Sequence, residues 1–177
     1  AQIFLGSNSA FLSSIMSSHN FIWTTSIPTA QTNGLTLEWN PHWFLSLPRP
    51  TRCTVLKHEL WHPARLHFLR RGDRDPLVWN WACDISINNF LKSEGSDFTG
   101  TSPWIKRDLG ETAEEDIYDY LMNLRDDGLD DKSILDLIGG TGWDPEFDLE
   151  TAGDMAEDLT EQDIRDQINN VITADQI

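Results

Sequence analysis

Apolar residues at the start of the chain recur with helical spacing. Phe4, Phe11, Leu12, Ile15 and Met16 share one face and serines fill the other, which predicts a short amphipathic helix over residues 3–18. Residues 20–27 then turn aromatic and β-branched and predict a strand, closed by Pro28. Asn33-Gly34 is a turn signal, and residues 35–39 alternate as a second strand, expected to pair with the first as a hairpin across a long loop. Asn40-Pro41 redirects the chain into a helical turn over 42–47. Helical period returns over 51–71, with Thr51 as a candidate cap and Gly72 as the stop. Pro63 lies inside that span and should kink it just after His62. Asp75-Pro76 opens another helix, running to Lys92, whose apolar positions are Val78, Trp81, Ala82, Ile85 and Phe90. Thr112-Ala113-Glu114-Glu115 has the spacing of a capping box and starts a helix to residue 124. Beyond it come a short helical piece over 133–138, a flexible loop over 139–142 and a weak amphipathic helix over 160–172 built on Ile164, Ile168 and Ile172.

These elements describe an α+β protein: a small β-sheet near the N-terminus, two long helices and a mostly helical C-terminal part. The 177 residues, 39% hydrophobic, suffice for one domain with a real core. Eight tryptophans add bulky aromatic packing. Cys53 and Cys83, the two cysteines, sit among apolar helical positions and form no C-x-x-C pair, which favours a reducing compartment, the cytoplasm, over a disulfide framework. The first residues lack the basic start of a signal peptide, and no apolar run approaches a membrane span.

Charge divides the chain. Residues 1–107 carry 10 Lys/Arg and 7 Asp/Glu, and residues 108–177 carry 3 and 22. An acidic second part repels phosphates, so nucleic acid is not an expected partner. Residues 1–124 read as the functional domain and 125–177 as an acidic extension, with a solvated face, a protein-binding tail or a block over the site as its candidate roles.

The chemistry is concentrated in His58-Glu59-Leu60-Trp61-His62, an H-E-x-x-H pattern inside a predicted helix. Four residues make about one helical turn, so both imidazoles leave the same face and can grip one ion. Imidazole nitrogen suits zinc, and a catalytic zinc takes three protein ligands with one position left open. Glu59, beside the open position, would be the general base toward a metal-activated water. Each histidine should be neutral, its second nitrogen hydrogen-bonded to a fixed partner.

Two residues compete as third ligand. His67 lies nine residues after His58, on the opposite side of a straight helix, and no glycine between His62 and His67 permits a tight reversal. Asp84 lies on the next helix, on a face with Asn80 and Asn88. Asp84 is favoured as the ligand, with orientation of a histidine as its alternative role. Asn80 and Asn88 read as structural amides. The charged connector Arg70, Arg71, Asp73, Arg74 and Asp75 reads as surface ion pairs, although Arg74 could neutralise a buried carboxylate near Asp84. Strand 35–39 could hold an extended substrate at a sheet edge.

Three stretches stand in order: Pro28-Thr29-Ala30-Gln31-Thr32-Asn33-Gly34; His58 to His67 with Arg70 and Arg71; and Arg74-Asp75-Pro76 through Trp79-Asn80 to Ala82, Asp84 and Ile87-Asn88. Together with the later segment 112–121, the chain resembles the zinc metallopeptidase-like domain that stands N-terminal to von Willebrand A-like domains in many bacterial and phage proteins. The resemblance spans roughly residues 20 to 124. It implies a zincin-like fold, one zinc ion and peptide-bond hydrolysis, and it supports His58, Glu59, His62 and Asp84 as the site. The chain departs from the longer relatives in ending on an acidic segment, and a bacterial or phage-infected cell is the expected setting. The expected activity is therefore a zinc metallopeptidase acting on a peptide or protein. Its rival is an inert, zinc-stabilised binding or inhibitor protein that uses the acidic tail.

Overall fold

A computed structural model describes residues 10–110, 112–139 and 160–175. It is α+β: among the described residues there are eight α-helices and a three-stranded mixed sheet. The first helix, α1, spans Ala10–Ser18 and buries Leu12, Ile15 and Met16. The expected start at residue 3 lies outside the described residues.

The strands pair differently from the expected hairpin. β1 (Asn20–Trp23) stops four residues short of Ile27, and β2 (Ala30–Thr32) lies in what reads as loop. β3 (Thr36–Trp39) is central, parallel to β1 and antiparallel to β2. The Asn33-Gly34 turn therefore joins β2 to β3. Asn33 Oδ1 accepts from the amides of Leu35 and Thr36, at 3.0 and 2.9 Å, and Gly34 takes a φ of +89° that glycine adopts without steric cost. The two expected strands do pair, but in parallel, and the hairpin partner of β3 is β2, whose three polar or small residues carry no apolar signal. Because β3 is flanked on both sides, it has no free edge for a substrate, and among the described residues β1 and β2 form the edges of the sheet. Leu37 and Trp39 alternate inward from β3 as expected.

Asn40 caps α2 (Pro41–Ser46), accepting from the His42 and Trp43 amides. α3 (Arg49–Ala64) begins two residues before Thr51. Thr51 is not its cap. It is buried and donates to the Thr99 carbonyl at 2.9 Å, tying the helix to a loop 48 residues away. Pro63 does not end the helix, which runs one residue beyond it. The break comes at Leu66, whose φ of +55° is left-handed, and α4 (His67–Arg70) starts in a new direction. The single span 51–71 is thus two helices.

Asp75 caps α5 (Pro76–Ser93) as expected, accepting from the Val78 amide at 3.0 Å. α5 is buried nearly all round, as a central helix must be. α6 (Glu114–Asp126) follows Ala113, and the predicted capping box does not form. The Thr112 hydroxyl donates back to the Leu109 carbonyl, and Glu115 turns instead to Arg70.

α3 packs between α1 and the sheet on one side and α5 on the other. Leu12, Ile15, Leu37, Trp39, Val55 and Leu60 form one core. Val78, Trp81, Ile85, Trp104, Ile117 and Leu121 form a second beyond α5, joined by Ile134 and Ile138 of α7 (Asp131–Ile138). α8 (Glu161–Asp175) bears out the expected helix, lies against α1 and touches α3, and leaves Ile168 and Ile172 exposed. Glycines 140 and 142 of the expected loop lie outside the described residues. The seam between α3 and α5 is thus walled by apolar packing on both sides.

Candidate metal centre

His58, Glu59 and His62 lie on α3 and Asp84 on α5, all buried. The four-residue spacing turns both imidazoles toward α5, where the helix pairing presents Asp84. His58 Nε2 is 3.2 Å from His62 Nε2, and Asp84 Oδ1 is 3.4 Å from the first and 3.2 Å from the second. These three residues offer donor atoms within 4.8 Å of one another, a set able to hold a metal ion. Among the described residues no fourth His, Cys, Asp or Glu joins them.

The outward nitrogens are occupied. His58 Nδ1 lies 2.9 Å from Asn88 Oδ1, and the Asn88 amide nitrogen donates to the Trp104 carbonyl at 3.1 Å. The structural tie expected of Asn88 is present, but its oxygen also holds a histidine, which sequence reading missed. His62 Nδ1 lies 3.1 Å from His67 Nδ1. Contrary to the expectation from sequence, His67 does reach the site, through a reversal in which Leu66 rather than a glycine takes the left-handed conformation. It meets the outer edge of His62, and its Nε2 donates to Glu114 Oε1 at 3.1 Å.

Glu114, buried on the first turn of α6, is the largest omission of the sequence reading. Arg65 Nη1 donates to its Oε1 at 2.8 Å and Arg70 Nη2 to its Oε2 at 2.7 Å. Arg70 also holds Glu115, so the connector does more than make surface pairs. Arg65 is fixed in turn by Ser86 and lies over the rings of Trp61 and Phe90, 5.2 Å from each centroid. Arg74 does not approach Asp84. It donates to the carbonyls of Arg70 and Arg71 and stacks on Trp79 and Tyr118. His42 is exposed on α2. The pairs His58–Asn88, Arg65–Glu114, His67–Glu114, Arg70–Glu114 and Arg70–Glu115 are 30 or more positions apart in the chain, which is why no local pattern announced them.

Burial is the largest single influence on each of these groups, and at His58, Asp84 and Glu114 their partners together outweigh it. Burial pushes the Glu59 carboxyl up, opposed by His58 and His62 and reinforced by Asp84. Among the described residues the Glu59 carboxylate accepts no hydrogen bond. Burial would pull His58 down, but its hydrogen bond to Asp84 and the charges of Asp84 and Glu59 outweigh this and raise it. Burial would raise Asp84, but His58 and His62 hold it below the usual carboxylate range. Burial lowers His67 to about 4, against the pull of Glu114, so its ring is neutral near pH 7. Glu114 is pushed up by burial but held ionised by the bonds from His67 and Arg65.

A family model described as "Putative metallopeptidase domain" matches residues 1–172. No curated protein matches the chain. No solved structure matches it. The family match extends over α7 and most of α8, well past the segment that carries the resemblance in sequence.

Proposed function

The chain belongs to this family of metallopeptidase domains, and from that premise we propose that it is a zinc-dependent peptidase in which His58, His62 and Asp84 hold the ion and Glu59 is the general base. The observation that carries the reading is the spacing of the three donors. Zinc bound tetrahedrally at about 2.0–2.1 Å sets its ligand atoms roughly 3.3 Å apart. The donors here are 3.2, 3.2 and 3.4 Å apart. They are the Nε2 atoms, whose Nδ1 counterparts are already engaged, and a carboxylate oxygen between them. A carboxylate that merely oriented a histidine would sit at Nδ1, which Asn88 and His67 fill. These distances support Asp84 as the third ligand, with His67 behind His62. Three protein ligands with no fourth donor beside them among the described residues suit a catalytic site better than a structural one.

Zinc, when bound, lowers the pKa of water toward about 7 and polarises a carbonyl. The protein does the rest. The Glu59 carboxylate, desolvated and raised, is a better proton acceptor than an exposed one. It takes the proton of the attacking water and delivers it to the amine nitrogen of the departing peptide. Asn88 holds the His58 ring in place. The apolar clusters on both sides of the α3–α5 seam limit the water that competes with these groups. The substrate is a peptide or protein. Both cysteines are free, which supports a reducing compartment such as the cytoplasm.

The test is cleavage of a mixed peptide library by the zinc-loaded protein, read by mass spectrometry. Wild type should cut, and Glu59→Gln should keep one zinc while turnover falls by about 10²–10⁴-fold. A wild type that binds zinc tightly yet leaves every peptide intact would replace this reading with that of an inert, zinc-stabilised binding protein.

A further inference from the structure

We propose that His67, Glu114, Arg65 and Arg70 form a proton-orienting relay that fixes the tautomer of His62 and so presents its Nε2 lone pair to the metal; the inference rests on the metal site proposed above. The direction of each bond follows from the charged end. Glu114 receives guanidinium hydrogens on both oxygens, from Arg65 at 2.8 Å and Arg70 at 2.7 Å, so it is ionised and only accepts. The contact of its Oε1 with His67 Nε2 at 3.1 Å therefore places a hydrogen on that nitrogen. His67 is 2% exposed and shares Glu114 Oε1 with the Arg65 guanidinium, and a second proton on its ring would add a like charge in a dry site. A neutral ring with Nε2–H has a bare Nδ1. His62 Nδ1, 3.1 Å away, must then be the donor, and a neutral His62 with its hydrogen on Nδ1 keeps Nε2 free.

The other histidine is oriented by an independent device of the same logic. The amide of Asn88 is spent on the Trp104 carbonyl, so its oxygen faces His58 Nδ1 and demands a hydrogen there. Two unrelated devices give both rings the tautomer that metal binding needs. The relay has a mechanical anchor too. The indole of Trp79 donates to the His67 carbonyl at 2.9 Å, and Arg70 Nη1 donates to the Arg65 carbonyl at 3.1 Å. The left-handed Leu66 is what swings His67 back to His62, so an otherwise unfavourable backbone conformation has a purpose at the site. His67 and Glu114 are positioning residues: neither touches the water or the peptide.

Zinc affinity and ring tautomers test this apart from catalysis. Competition with a chromophoric chelator should show His67→Gln and Glu114→Gln each binding zinc about 10–100-fold more weakly than wild type. The double variant should be little weaker than the worse single, because the two residues act in series. Should a variant fail to fold, nitrogen-15 spectra of the histidine rings in zinc-loaded wild type decide the matter: His67 should carry its hydrogen on Nε2 and His62 on Nδ1. The relay is overturned if wild type binds zinc while both variants bind it equally well, or if His67 is found as the Nδ1–H tautomer or as an imidazolium at neutral pH. A wild type that binds no zinc sinks the metal site itself, a different result.

Discussion

Acidifying the metal-free protein from pH 7 to pH 5 should destabilise it through one buried ring. The ordinary histidine value is 6.5, and burial lowers His67 to about 4 in the folded protein. Between those values the unfolded chain binds a proton at this position and the native chain does not. Stability therefore rises with pH across the window and is lost as pH falls. Integrated from pH 7 to pH 5, the loss is about 2 kcal/mol, since each unit of difference corresponds to about 1.4 kcal/mol. His58, raised in the fold, acts with the opposite sign: its contribution is present at low pH and fades as pH rises through its folded value. Asp84 and Glu114, both lowered, lose their contributions only as pH falls through the carboxylate range and below. Those groups remain when His67 is replaced by phenylalanine, which preserves ring volume and cannot titrate. Urea unfolding with a chelator present, for wild type and His67→Phe at both pH values, isolates the effect. Wild type should lose about 2 kcal/mol more than the variant on acidification. Equal losses in the two proteins would show that His67 takes up its proton as readily folded as unfolded, and the picture of a dry, neutral ring would be wrong.

Removing zinc by dialysis against a chelator should abolish cleavage and zinc should restore it, whereas Asp84→Asn should lose affinity beyond the roughly 10–100-fold expected of an orienting residue; a smaller loss, by equilibrium dialysis, would return Asp84 to an orienting role. The left-handed Leu66 predicts opposite signs for two substitutions: Leu66→Gly should stabilise by up to about 1 kcal/mol and Leu66→Val destabilise by more than about 1 kcal/mol. Thermal melts that rank valine at or above glycine would contradict that conformation. Ile134 is fully buried against the α5–α6 core, so Ile134→Ala should cost about 2–5 kcal/mol in chemical unfolding; a cost below about 1 kcal/mol would mean that α7 is peripheral to the fold.

What the sequence could settle by itself was local. The pairing of His58 with His62 follows from 3.6 residues per turn, and the start of α5 from a capping side chain next to a proline. Asp84 was reachable for the same reason, since a helix face can be read once the helix is known, though only packing could bring that face against α3. The sheet was not legible in this way: β2 carries Ala30, Gln31 and Thr32, and a three-residue strand without an apolar signal acquires its identity from the neighbour it hydrogen-bonds to. Thr112 and Glu115 matched a capping box, yet each found a partner outside it, because a cap is a weak preference that tertiary contacts override. Nor could spacing reveal that His67 would return to His62, since that depends on a leucine held in a left-handed conformation while Glu114, 47 residues further on, takes the other end of the ring. The ion-holding face is thus written in short-range helix geometry. The groups that orient it are decided by α4 turning back on α3 and by α6 packing against α5, because burying Glu114 requires Arg65, Arg70 and His67 to converge on it at once.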